Sequence, residues 1–364
     1  MNKKQSLISI IVISIFFFAV VLFCWLKPAD DFSVSEKRKL ASFPKFSVDS
    51  LLNGSFMQSF ESYTTDQFPA RELNRKTAAF FAYNILNKTD NHEIYLVNGS
   101  AAKLDYPLNE ASVIHASERF EYVKNKFFPD SKRVFLSVIP DKGYFLSKDV
   151  GCPAIDYDKL TETIKNKMSF AEYIDIFSTL NIDSFYRTDP HWNNIELFNT
   201  AEAIAGKMGR KLHNDYVIKD TDTEYCGTYA GQSALNMKYD TISYITNKAI
   251  DNASVFNHEA GTECGIYDIE KLNGKDPYEF FLSGSVSLTE ITNDQVNDNS
   301  KLIIFRDSFG SSIAPYFTEA YNKTILIDIR YIAPDYLDKF VDFNNADILY
   351  LYCTSVLNHS ETLK

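Results

Sequence analysis

The chain has 364 residues, a net charge of −11, and 29 Phe with 22 Tyr. So acidic a protein lacks the basic face that a nucleic-acid partner needs, and the aromatic content supplies ample material for a core. Cys152, Cys226, Cys264 and Cys353 have no C-x-x-C spacing, which argues against a zinc site, and no cofactor motif is present.

Leu7 to Leu26 contains neither a charge nor a proline. Twenty residues of helix span roughly 30 Å, the hydrocarbon thickness of a bilayer. Lys3 and Lys4 precede the run and Lys27-Pro28 follow it. A cleaved signal peptide would have a shorter apolar core and a small-residue cleavage site. Here the run ends Leu22-Phe23-Cys24-Trp25-Leu26, and Phe23 is too bulky for the position before a lipoprotein cysteine. An uncleaved single-pass anchor is therefore expected. Lys27, Lys37, Arg38 and Lys39 after the span leave the positive-inside count undecided. A short N-terminal tail usually stays inside, so the body is expected outside. There the four remaining cysteines would form one or two disulfides or stay as buried thiols. Cys353 ends an apolar run, which favours burial.

Residues 1–27 are thus read as the anchor and 28–111 as a tether and helical arm. Pro28, Pro44 and the charge run Glu36 to Lys39 mark the tether. Leu51, Leu52, Phe56, Phe60 and Tyr63 recur at helical spacing, and Ala70 to Leu86 resumes the pattern after Pro69, so Val48 to Asn87 is expected to be helical. Residues 112–358 read as one α/β domain. A helix over Ala116 to Phe128 stops at Pro129. A strand is expected over Arg133 to Ile139, a helix over Tyr157 to Met168, a strand over Tyr173 to Phe177 and a helix over Asn194 to Met208. Further on come a strand at Leu302 to Phe305, a helix at Ser312 to Tyr321, a strand at Thr324 to Ile329, a helix at Tyr336 to Phe343 and a strand at Ile348 to Tyr352. Strands that are apolar throughout and alternate with helices indicate a parallel sheet covered on both faces. Residues of about 215–300, rich in Asn, Asp, Thr, Gly and Tyr, break this rhythm and read as an insertion of loops and short antiparallel strands.

Two segments could carry chemistry. In Arg187-Thr188-Asp189-Pro190-His191-Trp192-Asn193, Pro190 holds Asp189 extended. Residues i and i+2 of an extended segment share a side, so Asp189 and His191 could face one pocket. A carboxylate there would fix the imidazole tautomer. In Leu302 to Ser312 a buried strand runs through Arg306-Asp307-Ser308 into a helix. Ligands of open α/β sheets bind at such strand ends, although Asp307 or Ser308 could simply cap the helix. Together the segments supply a serine and the base that its hydroxyl needs to become a nucleophile. The other histidines, His92, His115, His213, His258 and His359, have no recognisable partner and are read as structural or exposed.

Asp-x-His-Trp at 189–192, followed by Asp307-Ser308-Phe309, resembles the DHHW proteins, which belong with the SGNH-hydrolase-like domain of the alginate O-acetyltransferases AlgX and AlgJ. Val138-Ile139-Pro140-Asp141-Lys142, Phe281-Leu282-Ser283-Gly284, Asp328-Ile329-Arg330-Tyr331 and Asp66-Gln67-Phe68-Pro69-Ala70-Arg71 resemble further segments of that family, in order, between Ser33 and Tyr352. Pro190 stands where the family name expects His. The resemblance implies an SGNH-hydrolase-like three-layer sandwich, with Ser308 as nucleophile, His191 as base and Asp189 orienting it. The Ser308 amide and Gly284 are the implied oxyanion donors, with Asp307, Lys142 and Arg330 in support. It implies an extracytoplasmic O-acetyltransferase or O-acetylesterase acting on a surface or exported polysaccharide. The acyl donor would come from a partner polytopic membrane acyltransferase, since the chain has no acetyl-CoA motif. The alternative is a non-catalytic scaffold or glycan-binding module on the same fold. The separation of Ser308 and His191 distinguishes the two.

Overall fold

The computed structural model describes residues 3–364, which divide into two compact units. The smaller comprises the chain up to Asn91 with Gly231–Asn236, and the larger comprises His92–Ala230 with Met237–Lys364.

The larger unit is built on an eight-stranded sheet. In chain order its strands are β1 (Val134–Ile139), β2 (Glu172–Tyr173), β3 (Ser254–Asn257), β4 (Thr262–Cys264), β5 (Leu288–Thr292), β6 (Lys301–Arg306), β7 (Lys323–Ile327) and β8 (Ala346–Cys353). Their spatial order is β4-β3-β5-β7-β6-β8-β1-β2. From β7 to β2 every pairing is parallel, and β4, β3 and β5 are antiparallel additions at one edge. The sequence of β6 is apolar throughout because both of its faces are covered. Ile303 and Phe305 pack with Val113, Phe120, Leu160 and Ile164 on one side. Leu302 and Ile304 pack with Ala201, Ile204 and Phe317 on the other. Each such side chain contributes roughly 1.5–3 kcal/mol on full burial. Two cores, one on each face, make the expected three-layer α/β architecture.

Several elements differ from the sequence expectation for local reasons. The helix expected over Ser312 to Tyr321 is one α-turn, Gly310–Ile313, followed by 3-10 structure at Ala314–Glu319. Pro315 has no N–H to donate to the turn before it. Tyr336 to Phe343 is likewise 3-10 over Pro334–Lys339. The strand at Tyr173 to Phe177 is shortened to Glu172–Tyr173, since the Asp175 carboxylate takes the Phe177 amide at 3.0 Å and turns the chain. The irregular insertion supplies β3, β4 and β5 to the sheet and a separate hairpin, Val217–Tyr225 with Asp240–Thr246. Among the described residues no disulfide forms. Cys353 is buried, and burial raises its thiol well above the ordinary value.

The smaller unit begins with an apolar helix, Lys3–Leu26, long enough to cross a membrane. A short hairpin pairs Phe32–Ser33 with Arg38–Lys39. The arm expected to be helical comprises Val48–Leu52, Ser55–Asp66 and Arg71–Phe80, the last continuing as a π-turn over Phe81–Ile85. Ser47 and Ser50 form a capping box at its start. These helices bury almost nothing apolar: no residue of the first, Asp66 alone of the second, Ala79 alone of the third. Ring contacts of Phe43 and Phe46 with Phe56, Phe60 and Tyr63 and a set of polar ties hold them instead. Arg38 grips Asp66 with two hydrogen bonds of 2.8 and 2.6 Å, and the Ala41 amide adds a third at 2.9 Å. The Arg38 guanidinium holds the Asp66 carboxyl down at about 2. Arg71 meets Glu36 at 2.5 Å.

Candidate active site

The carboxyl ends of the neighbouring strands β6, β8 and β1 lie side by side, which is where open α/β sheets place their sites. Past β6 the chain turns at Asp307-Ser308. The Asp307 carboxylate takes the Phe309 amide at 3.0 Å and, with its other oxygen, the Cys353 amide at 2.7 Å. It therefore closes the serine turn and ties it to the end of β8. Gly310 packs so tightly that a Cβ there would lie 2.7 Å from Cβ of Arg306. The Gly310 and Ser311 amides close turns onto the Asp307 and Ser308 carbonyls. The Ser308 amide makes no hydrogen bond among the described residues, so it is free for an oxyanion. One helical turn adds little dipole to it.

The segment 185–192 is a tight loop closed by an antiparallel bridge between Phe185 and Trp192, with the Tyr186 amide on the His191 carbonyl at 3.1 Å. Asp189 Oδ1 accepts the His191 backbone amide at 3.0 Å and contacts His191 Nδ1 at 2.5 Å. Its Oδ2 accepts the Thr228 amide at 2.7 Å. His191 Nε2 lies 2.7 Å from Ser308 Oγ. Asp189, His191 and Ser308 thus form one continuous hydrogen-bonded relay. The buried end is Asp189, and His191 and Ser308 are half-buried toward solvent.

The loop is clamped from three sides. Asp240 takes the Arg187 amide at 2.9 Å, the Thr188 amide at 2.8 Å and the Thr188 hydroxyl at 2.5 Å. The buried Lys142 ammonium donates to the carbonyls of Tyr186, Arg187 and Asp189 at 2.6, 2.9 and 3.3 Å. Burial pushes Lys142 down to about 7. Gly227 lies so close that a Cβ would sit 2.5 Å from Asp189 Cβ and from the Thr188 carbonyl. On the other side of the imidazole the Tyr278 ring stacks on His191, with centroids 3.9 Å apart and planes at 13°. The Tyr278 hydroxyl bonds to Ser312 at 2.9 Å, and Trp192 Nε1 donates to the same Ser312 oxygen at 2.8 Å. Burial raises Tyr278 well above its ordinary value, so it stays a neutral phenol.

Of the supporting residues expected from the sequence, Lys142 and Asp307 are in place as clamps. The Gly284 amide, expected to serve an oxyanion, donates instead to the Phe281 carbonyl at 3.2 Å. Arg330 is bound to Asp328 at 2.9 and 2.6 Å, in an ion-pair cluster with the buried Arg306 below the serine turn. It makes no contact with Ser308 or His191 among the described residues. Tyr278, Asp240, Gly227 and Thr228 were not legible as site residues. All four lie in the insertion, where no periodicity links them to Asp189. The dipeptide Cys226-Gly227 within a polar stretch was the only available hint.

Residues 156–327 match the family model described as DHHW protein. A DHHW family protein from Eubacterium siraeum DSM 15702 has a similar structure, with a TM-score of 0.61 and 20% identity over 74% of this chain and 93% of that one. Bacillus cereus PatB1 is similar at a TM-score of 0.59 and 15% identity, over 74% and 98% of the two chains. A PatB1 structure with a sulfonyl adduct gives 0.57 and 15%, over 72% and 97%. The O-acetyltransferase domain of Pseudomonas putida AlgJ is a more distant likeness, with a TM-score of 0.45 and 12% identity over 73% and 92%. No curated protein matches the chain. The matched residues include Asp189, His191 and Ser308, and the fold shared with the Eubacterium siraeum protein and PatB1 is the three-layer α/β sandwich.

Proposed function

We propose that the protein is a serine-dependent O-acyltransferase or O-acetylesterase acting on a cell-surface or exported polysaccharide, held outside the membrane by its N-terminal helix. The observation that carries this reading is the Asp189–His191–Ser308 relay, with contacts of 2.5 and 2.7 Å. Both fall within the reach needed for proton transfer, whereas a scaffold would have no use for a buried carboxylate aimed at a histidine whose side chain is 13% exposed. In the reaction, Ser308 Oγ attacks the acyl carbon of an ester while its proton passes to His191 Nε2. The Ser308 amide faces the oxyanion. His191 then returns the proton to the departing alkoxide, leaving an acyl-serine. In the second half His191 takes a proton from a sugar hydroxyl, which attacks the acyl carbon; the acyl–Oγ bond breaks and His191 returns the proton to the departing Ser308 Oγ. Water in place of the sugar gives hydrolysis. Asp189 supports the imidazolium in both halves, and the ring of Tyr278 stacks against that developing cation. The half-exposed position of Ser308 suits a polymer that approaches from the surface. A sulfonyl adduct has been captured on PatB1, which shares the fold, and sulfonyl electrophiles trap activated nucleophiles. The acyl donor would be delivered by a polytopic membrane acyltransferase.

The test is release of acetate from an activated acetyl ester by the purified protein. Ser308→Ala is expected to lower kcat by about 10³-fold or more with an unchanged melting temperature. Turnover unaffected by this change would remove Ser308 from its role.

A further inference from the structure

The arm leaves an unusual amount of apolar surface in solvent. Between Val34 and Leu86, 13 large apolar side chains are exposed, against 11 in the whole of residues 92–364. Phe46 is 66% exposed, Leu52 81%, Leu73 65% and Leu86 68%. Leu73 and Phe80, seven residues apart, share one exposed helical face, and Ala79 alone of that helix is buried. Exposed apolar patches of this extent mark an interaction surface.

What covers it follows from where the arm is attached. Lys27 ends the apolar helix, with its amide on the Phe23 carbonyl at 3.0 Å. Only three residues later the Asp30 amide donates to Gln67 Oε1 at 2.8 Å, and the Gln67 side chain donates back to the Asp30 carbonyl at 2.8 Å. Gln67 also reaches the Ala41 carbonyl at 3.1 Å. Gln67 is the C-cap of the helix Ser55–Asp66. The four-residue step from Leu26 to Asp30 spans at most about 14 Å. The arm is thus tied, by two hydrogen bonds and a very short connection, next to the end of a helix that is long enough to cross a bilayer. Its charges present no barrier: residues 28–91 contain eight acidic and eight basic residues, and the negative excess of the chain lies beyond them.

We propose that the apolar outer face of residues 34–86 lies on the lipid surface in which the N-terminal helix is embedded. The arm is then an interfacial amphipathic element, with Phe and Leu side chains at the boundary between head groups and acyl chains. The proposal rests on Leu7 to Leu26 being a membrane span and is independent of the chemistry at Ser308. A bilayer is present wherever the anchor is inserted, whereas a protein partner would have to displace it from this face.

The experiment uses the full chain with a protease site inserted between Lys27 and Pro28, reconstituted in pure phosphatidylcholine vesicles. After cleavage the vesicles are floated. Residues 28–364 are expected to float with the lipid. The variant Leu52→Ser/Phe80→Ser/Phe81→Ser/Leu86→Ser should leave on the order of tenfold more of this fragment behind. All four side chains are exposed, so the circular-dichroism melt of the variant should match the parent. Complete release of the parent fragment on cleavage overturns the docking. An uncut chain that fails to float overturns the anchor and the docking with it. Neither readout depends on turnover, so a failure of the acyl-transfer reading registers separately.

Discussion

In the sheet domain, alternate side chains of β6 and β8 disappear into two cores, and the loops at the strand ends inherit their positions from that packing. In the arm the same residue types, Phe and Leu at helical spacing, stay largely exposed, and Asp66, Glu36, Arg38 and Arg71 hold the helices to the tether. The difference teaches that periodicity announces an apolar face without saying what meets it. A second protein layer covers the face in one region. In the other, polar bonds and a few ring contacts fix the chain and leave much of the face exposed. The domain should therefore be sensitive to volume changes and the arm to changes of charge.

Volume should matter most beside Asp189. A methyl group at Gly227 would collide with Asp189 Cβ and the Thr188 carbonyl at 2.5 Å. Gly227→Ala is expected to displace Asp189 and to lower kcat by about 10²-fold. Hydrogen exchange over residues 28–91 should not change. A kcat within a factor of two of the parent would show that the loop gives way without moving the carboxylate.

Lys142 adds a buried charge to the domain, and its sign can be worked out. Its folded value is about 7 against 10.5 unfolded. Between those values the unfolded chain binds the proton more readily, so stability rises as pH increases from 7 toward 10. Denaturant unfolding of the parent at pH 7 and pH 9 should differ by about 2 kcal/mol, and Lys142→Met should flatten that rise. A parent with no gain between the two pH values would contradict a depressed lysine.

In the arm, Asp66→Asn removes the carboxylate that Arg38 grips twice, leaving Arg38 only the carboxylate of Glu36 at 3.3 Å, and weakens the pair with Arg71 at 3.3 Å. Breaking a wholly buried pair costs about 3–5 kcal/mol. Arg38 is 43% exposed, so roughly 2 kcal/mol is expected here. It should appear as faster hydrogen exchange over residues 28–91 with an unchanged domain melt. The folded Asp66 value of about 2 lies below the unfolded 3.8. This stabilisation is therefore fully present above pH 4 and is lost as pH falls through 2. An arm that tightens on acidification would reverse the sign and refute the pairing. The smallest effect belongs to Tyr278→Ala, which removes the ring stacked on His191. A drop in kcat of about tenfold is expected, while Tyr278→Phe, which keeps the stack, should stay near the parent.

Much of this was legible in the sequence because it rests on local patterns. The apolar run of the first helix, the strands of the parallel sheet and the motifs at Asp189, His191 and Ser308 depend on composition and short spacing. Element lengths were less legible. Pro315 and the Asp175 turn cut short a helix and a strand whose hydrophobic patterns ran on. Gly284 shows the limit for single residues, since its amide is taken by the carbonyl three residues earlier, a choice made by loop geometry.

The sequence by itself determined that an apolar N-terminal helix precedes a helical arm and an α/β domain, and it named the three residues of the relay. The tertiary structure decided that these three meet at 2.5 and 2.7 Å across 117 residues of chain. It also decided that Tyr278, Asp240, Gly227 and Lys142 hold the loop, and that the face of the arm is left uncovered. Distances between remote segments follow from how the whole core packs, and no periodicity within one segment records them.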